Sequence, residues 1–214
     1  MTRSSIFSPL RLVAACLVLF VGLVGGHSPA RAADPAVAAQ GTVQAFYDAL
    51  LDSMKQGKTL GFAGRVKKLE PAVAKAYDMD VMTRLAVGSA WTDFDDATKR
   101  SVKEAFYRYT VATYANRFSS FDGERFEVGA VKAIQGQRQV VQTRLVPAGD
   151  DPVILNYLMA ADAAGVPRIT DVFLNGTISQ VATTRSEFTA VLRQGGAARL
   201  IALLDKRVAE MSKS

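Results

Sequence analysis

Apolar residues in this chain recur about every 3.6 positions up to residue 118, about every 2 from 126 to 174, and about every 3.6 again to the end. A block of helices, a block of strands and a second block of helices excludes an alternating β-α-β layout. The pattern predicts an α+β fold with helices packed over an antiparallel sheet.

Within the first block, Val43, Phe46, Tyr47, Leu50, Leu51 and Met54 form a helical stripe over 34–57 that Gly57 ends. Residues 58–76 read as short helical pieces and loops broken by Gly61, Gly64 and Pro71. Met79, Met82, Leu85 and Ala86 make a second stripe that stops at Gly88. A long helix from about 95 to 118 carries Val102, Ala105, Phe106, Tyr109, Ala112 and Thr113, with Asp93 as its N-cap.

Four strands follow. Phe126, Val128 and Ala130 alternate with other residues, as do Val141, Thr143 and Leu145 within 139–146. Residues 153–160 are apolar on both faces apart from Asn156, which predicts a strand covered on two sides, and 169–174 is the fourth strand. Breaks at 135–136, 149–152 and 165–167 suit hairpins, so the four strands form a meander, and Asn175-Gly176 marks a further turn. Thr184 and Glu187 have capping-box spacing for a helix through Val191 and Leu192. Gly195-Gly196 interrupts it, and Leu200, Leu203, Leu204, Val208 and Met211 form the last stripe.

The first residues predict export. Arg3 and Arg11 precede an apolar run from Leu12 to Val24, too short for the ~20 residues of a membrane span, and Ala30-Arg31-Ala32 offers a signal-peptidase site. The expectation is a signal peptide over 1–32, cleaved near Ala32, and a single periplasmic domain over 33–214. A lipoprotein box at Val13-Ala14-Ala15-Cys16 is the rival reading, but almost no apolar core precedes Cys16.

Cleavage there removes the only cysteine, Cys16, and the only histidine, His27. That excludes Ser-His-Asp and Cys-His nucleophiles and imidazole or thiolate metal sites, and neither a Gly-rich phosphate loop nor a G-x-S-x-G elbow is present. No cofactor, catalytic residue or metal is expected. It also removes three of the 26 basic residues and none of the 20 acidic ones, so the formal charge falls from +6 to about +3. Such a mild excess does not call for nucleic acid, though it permits contact with an anionic membrane or acidic partner.

Carboxylates are the remaining chemistry. Asp78, Asp80 and Asp95 could serve an envelope enzyme, but closeness in sequence is no evidence for two carboxyls across a cleft. Their simpler reading is acids at helix N-termini. Arg185, Arg193, Arg199, Lys206, Arg207 and Lys213 gather on the terminal helices as a solvated face or a headgroup-docking surface.

Four stretches resemble the MlaC-like, toluene-tolerance type of periplasmic proteins: YDMDVMTRLAVGSAW (77–91), KEAFYRYTVATYANRF (103–118), GERFEV (123–128) and NGTISQVATTRSEF (175–188). Within that family ATYANRF, Gly176 to Ile178, and Arg185-Ser186-Glu187-Phe188 are most similar to the hopanoid-associated HpnM branch. The resemblance implies helices on a four-stranded antiparallel sheet, with lipid held in an apolar cavity between them. It implies a carrier of hopanoid or phospholipid between an inner-membrane transporter and an outer-membrane acceptor. Cavity walls are then expected from Met82, Leu85, Val102, Phe106, Tyr109, Val141, Leu155, Tyr157, Val172 and Leu174, the apolar positions of long helices and sheet able to face one another. The alternatives are the carboxylate enzyme and a scaffold for membrane complexes with a solid core.

Overall fold

The structure, a computed structural model, describes residues 34–213. The expected signal peptide and lipoprotein box lie outside the described residues. The described residues make one compact unit. Its elements are α1 (Pro35–Lys55), α2 (Gly57–Ala76), α3 (Met79–Val87), α4 (Asp96–Arg117), β1 (Arg125–Ile134), β2 (Arg138–Val146), β3 (Val153–Ala161), β4 (Pro167–Leu174), β5 (Ile178–Ser179) and α5 (Gln180–Met211), with a 3-10 turn at Gly88–Asp93. The fold is α+β, with five helices and one antiparallel sheet in the order β1-β2-β3-β4-β5.

The sheet thus has five strands rather than the four expected. Asn175 and Gly176 both take positive φ, 52° and 77°, the left-handed conformation that lets a short loop reverse the chain. The turn folds the chain back, so Ile178 pairs with Leu174 and Ser179 with Phe173 before the helix starts. A two-residue strand has no period to read.

Other boundaries moved for physical reasons. α2 is one helix across the Gly64 and Pro71 breaks, kinked only at Gly61, because Arg65, Leu69, Val73 and Ala76 are buried along its length. Gly57, at its start, lies so close to the Ser119 carbonyl that a Cβ would sit 1.9 Å from that oxygen. α4 is capped by Asp95, which accepts from the Thr98 N–H at 2.7 Å, and not by Asp93. α5 begins at Gln180, ahead of the expected Thr184 box. Ser179 accepts from the Ala182 N–H, and buried Asp171 accepts from the Val181 N–H at 3.0 Å, so two donors of the first turn are satisfied there. Gly195-Gly196 breaks α5 as expected, with Gly196 at φ 62°.

One sheet face carries the core. Val141, Thr143, Tyr157, Met159, Ile169 and Val172 are buried on it, beneath the helices. On the other face of β3, Ile154 is 44% exposed, and Asn156 and Leu158 are half-buried. The expectation of a strand covered on two sides therefore fails. Apolar composition placed Ile154 and Leu158 on a face that no helix closes.

Candidate functional site

Two stretches of the helix-sheet interface differ in how they are filled. Under α1, Val43, Phe46 and Tyr47 are at most 1% exposed, and the space is closed. Between α4, the start of α5 and the ends of β3 and β4, a hollow of about 220 Å³ remains. Its sheet wall is Leu155, Tyr157, Val172 and Leu174, joined by Phe126 from β1. α4 contributes Phe106, Tyr109, Thr110, Thr113, Tyr114 and Arg117, which share one helix face at i, i+3, i+4, i+7, i+8 and i+11. Phe118 follows directly. Gln180, Val181 and Thr184 close the α5 side, and Leu50, Tyr77 and Met82 close the bottom.

Each wall is held locally. Asp171 and Ser179 fix the first turn of α5, which puts Gln180, Val181 and Thr184 beside β4. Arg65 ties α2 to the last turn of α4, donating to the Ala115 carbonyl at 2.7 Å and to the Gly57 carbonyl at 2.9 Å. The Arg207 guanidinium lies 5.7 Å over the Tyr109 ring and pairs with Glu187 at 3.1 Å, stapling both halves of α5 to α4. Gly88, at φ 70°, ends α3 so close to Arg185 that a Cβ would meet its guanidinium.

Three buried tyrosines, Tyr47, Tyr77 and Tyr157, and the half-buried Tyr114 stand around the floor. Tyr47 meets the Thr143 hydroxyl at 2.5 Å, and Thr143 donates to the Leu155 carbonyl. Since Thr143 gives its only proton to Leu155, Tyr47 must donate to Thr143. The Tyr77 and Tyr114 hydroxyls bond each other. Burial raises all four phenols above their ordinary range, most strongly Tyr77 and Tyr157, so they stay neutral at physiological pH. The site offers hydrocarbon and aromatic walls, neutral hydroxyls and one cation, Arg117.

Seven of the ten expected wall residues border this hollow: Met82, Phe106, Tyr109, Leu155, Tyr157, Val172 and Leu174. Three do not. Leu85 is 43% exposed, since the inward face of α3 is set by Met79, Met82, Thr83 and Ala86. Val102 and Val141 are fully buried in the closed core. A search for apolar residues alone missed the polar wall of Thr110, Thr113, Tyr114, Arg117, Gln180 and Thr184, and also Leu50, Tyr77, Phe118, Phe126 and Val181. The α4 residues among them could be found by extending the Phe106 stripe at helical spacing whatever the polarity.

The carboxylates have structural duties. Asp78 caps α3, accepting from the Val81 N–H at 2.9 Å, and Asp80 pairs with Lys103 at 2.8 Å. The bond from Thr98 holds the Asp95 carboxyl below its usual range. Among the described residues no three His, Cys, Asp or Glu come together as a metal site. No helix among them is long and apolar enough to cross a membrane.

Comparison with known proteins finds one family model, described as MlaC protein, matching residues 44–206. Among solved structures, a phospholipid-binding protein from Ralstonia solanacearum in complex with a phospholipid has a similar fold, with a TM-score of 0.70 and 21% sequence identity. The match covers 81% of this chain and 98% of that one. No curated protein matches the chain.

Proposed function

Since this chain belongs to the MlaC family, we propose that it is a periplasmic lipid carrier, with the hollow between α4, α5 and the sheet as its cargo site. The observation that carries the reading is the contrast within one interface: side chains fill the space under α1 and leave about 220 Å³ empty beside it. An apolar hollow of roughly 150 Å³ already stays dry and takes up small hydrocarbons. The fold shared with a protein solved with phospholipid supports the same choice of ligand class.

Transfer of a lipid through water has a large barrier. Each exposed methylene costs ~0.8 kcal/mol, so a sixteen-carbon tail costs on the order of 12 kcal/mol. A wall of Phe106, Phe118, Phe126, Leu155 and Leu174 replaces that water with hydrocarbon contact. Ligand pockets of ~300–1,000 Å³ are usual for larger guests, so loading a full tail requires the walls to part. Met82 is a flexible wall residue, and the Gly195-Gly196 break gives α5 a pivot.

In this reading the segment 1–32 directs export and is removed near Ala32. The carrier takes hopanoid or phospholipid from inner-membrane transport machinery and delivers it to an outer-membrane acceptor, touching each membrane peripherally. The HpnM-like stretches favour hopanoid, and the Ralstonia solanacearum fold match favours phospholipid. Chemistry on the cargo has no place in it, because Asp78, Asp80 and Asp95 are engaged in caps and an ion pair.

Native mass spectrometry of the protein isolated from envelope extracts, with identification of the released lipid, tests the proposal. A stoichiometric lipid is expected. Recovery without lipid, under conditions that retain weak binders, would overturn it in favour of a scaffold.

A further inference from the structure

The Tyr77–Tyr114 pair has a donor more than it can use. Two hydroxyls bring two protons, and their mutual bond uses one. Among the described residues neither makes another hydrogen bond, whereas Tyr47 and Thr143 pass their protons along to a carbonyl. Both members of the pair line the hollow. Tyr77 is buried and Tyr114 half-buried, where a donor without an acceptor carries a desolvation penalty.

Three residues further along the same face of α4 stands Arg117, the only charged residue lining the hollow, with no carboxylate in ion-pair range. A cation at a helix C-terminus complements the dipole wherever it points. Here it also stands at the solvent end of a graded stripe, from buried Phe106 through half-buried Thr110, Thr113 and Tyr114 to exposed Arg117. Side chains at i and i+3 start ~5–6 Å apart. In a glycerophospholipid the acyl ester carbonyl and the phosphate are a few bonds apart, a comparable span, with the carbonyl on the tail side.

We propose that this end of α4 reads the polar linkage of the cargo: the unused phenolic proton of the Tyr77–Tyr114 pair donates to an acyl ester carbonyl, and the Arg117 guanidinium to the phosphate. The site therefore selects ester-linked glycerophospholipids over dialkyl ethers and over polycyclic hydrocarbons, which lack the acceptors. The selection rests on the carrier reading above and names its substrate class. It has an unusual consequence for mutation. Y77F or Y114F alone leaves one hydroxyl that has lost its partner, still free to donate to the cargo. Only Y77F/Y114F removes the donor.

The test incubates the purified chain with vesicles containing equal amounts of diester and dialkyl-ether phosphatidylglycerol, diacylglycerol and a triterpene hydrocarbon, then measures protein-bound lipid by mass spectrometry. The unmodified chain is expected to favour diester over dialkyl ether by several-fold to about tenfold. Y77F and Y114F keep that ratio, and Y77F/Y114F brings it to about one. R117Q lowers phosphatidylglycerol relative to diacylglycerol several-fold, and R117K restores part of it. A diester-to-ether ratio near one in the unmodified chain, or one unmoved in the double variant, overturns the assignment. So does preferential uptake of the triterpene, which leaves the carrier reading intact. Binding of inorganic phosphate that R117Q abolishes, without a change in the phosphatidylglycerol ratio, would make Arg117 a free-anion site and overturn its role. Absence of all lipid would instead remove the carrier reading itself.

Discussion

α1 and α4 lie on the same molecule as long amphipathic helices, and they do opposite things with their inward faces. The α1 face, Ala39, Val43, Phe46, Tyr47, Leu50, Ser53 and Met54, is apolar or aromatic but for Ser53 and is buried to the last atom or nearly so. The α4 face begins the same way at Val102, Ala105 and Phe106, then turns to Tyr109, Thr110, Thr113, Tyr114 and Arg117. Side chains that are small, hydroxylated or charged do not fill a core to its usual density. Where they replace large aliphatics, the interface stays open. One architecture thus yields a closed core and a recess side by side, and the switch lies in a few positions of one helix.

Truncating Phe46 to Ala should show the largest difference between the two regions. Phe46 packs edge-on against both Tyr77 and Tyr114, so its loss should lower stability by about 3–5 kcal/mol in chemical denaturation. Leu174→Ala, on the hollow, should lower it by only about 1–2 kcal/mol because less of that side chain is packed. Equal losses would break the distinction between a filled and an unfilled interface.

Alkaline denaturation sharpens the comparison by titrating the buried phenols. Burial raises Tyr47, Tyr77, Tyr114 and Tyr157 in the folded chain, so the unfolded chain loses these protons first. Their contribution is fully present below about pH 10 and is lost as the pH rises beyond it, by ~1.4 kcal/mol per pH unit for each tyrosine. Denaturation midpoints followed from pH 9 upward should steepen accordingly, and Y47F should remove one tyrosine's share of the slope.

Filling the recess should separate function from stability. Thr113→Trp places an indole in the hollow and should cut retained lipid about tenfold, while denaturation shifts by less than about 1 kcal/mol. A stable Thr113→Trp chain with unchanged lipid would move the cargo site elsewhere. The smallest effect is expected at Asp78→Ala, which removes the α3 cap for about 1 kcal/mol and leaves lipid content unchanged. Loss of lipid there, with the fold intact, would revive a direct role for that carboxylate.

Local signals carried much of this fold. The change of period located the sheet, the Gly-containing breaks located its hairpins, and five of the six residues in the α1 stripe are buried, Leu51 being only half-buried. What escaped depended on distance in sequence. The start of α5 is set by Ser179 together with Asp171 from the sheet, and the second of these has no local signal, so a capping box pointed to Thr184 instead. α2 survives Gly64 and Pro71 because it is packed against its neighbours, which no window of the sequence reveals. In the site, seven apolar wall residues were legible from their faces. The hydroxyls were not, because a rule that looks for grease passes over Thr110 and Thr113 on the very stripe it is following.

The bulge in β1 has a further consequence. Register slips between Val128 and Val131, Gln40 donates to the Gly129 carbonyl at 2.7 Å, and Arg125 and Lys132 flank the slip. At the opposite border of the sheet stands β5, only two residues long. Outer strands with free amides invite a second chain to zip alongside and seed fibrils, and distortion, charge and brevity each discourage it. On the proposed carrier reading, in which the walls part to admit a greasy guest, having both borders of the ladder spoiled for copies of itself is an advantage.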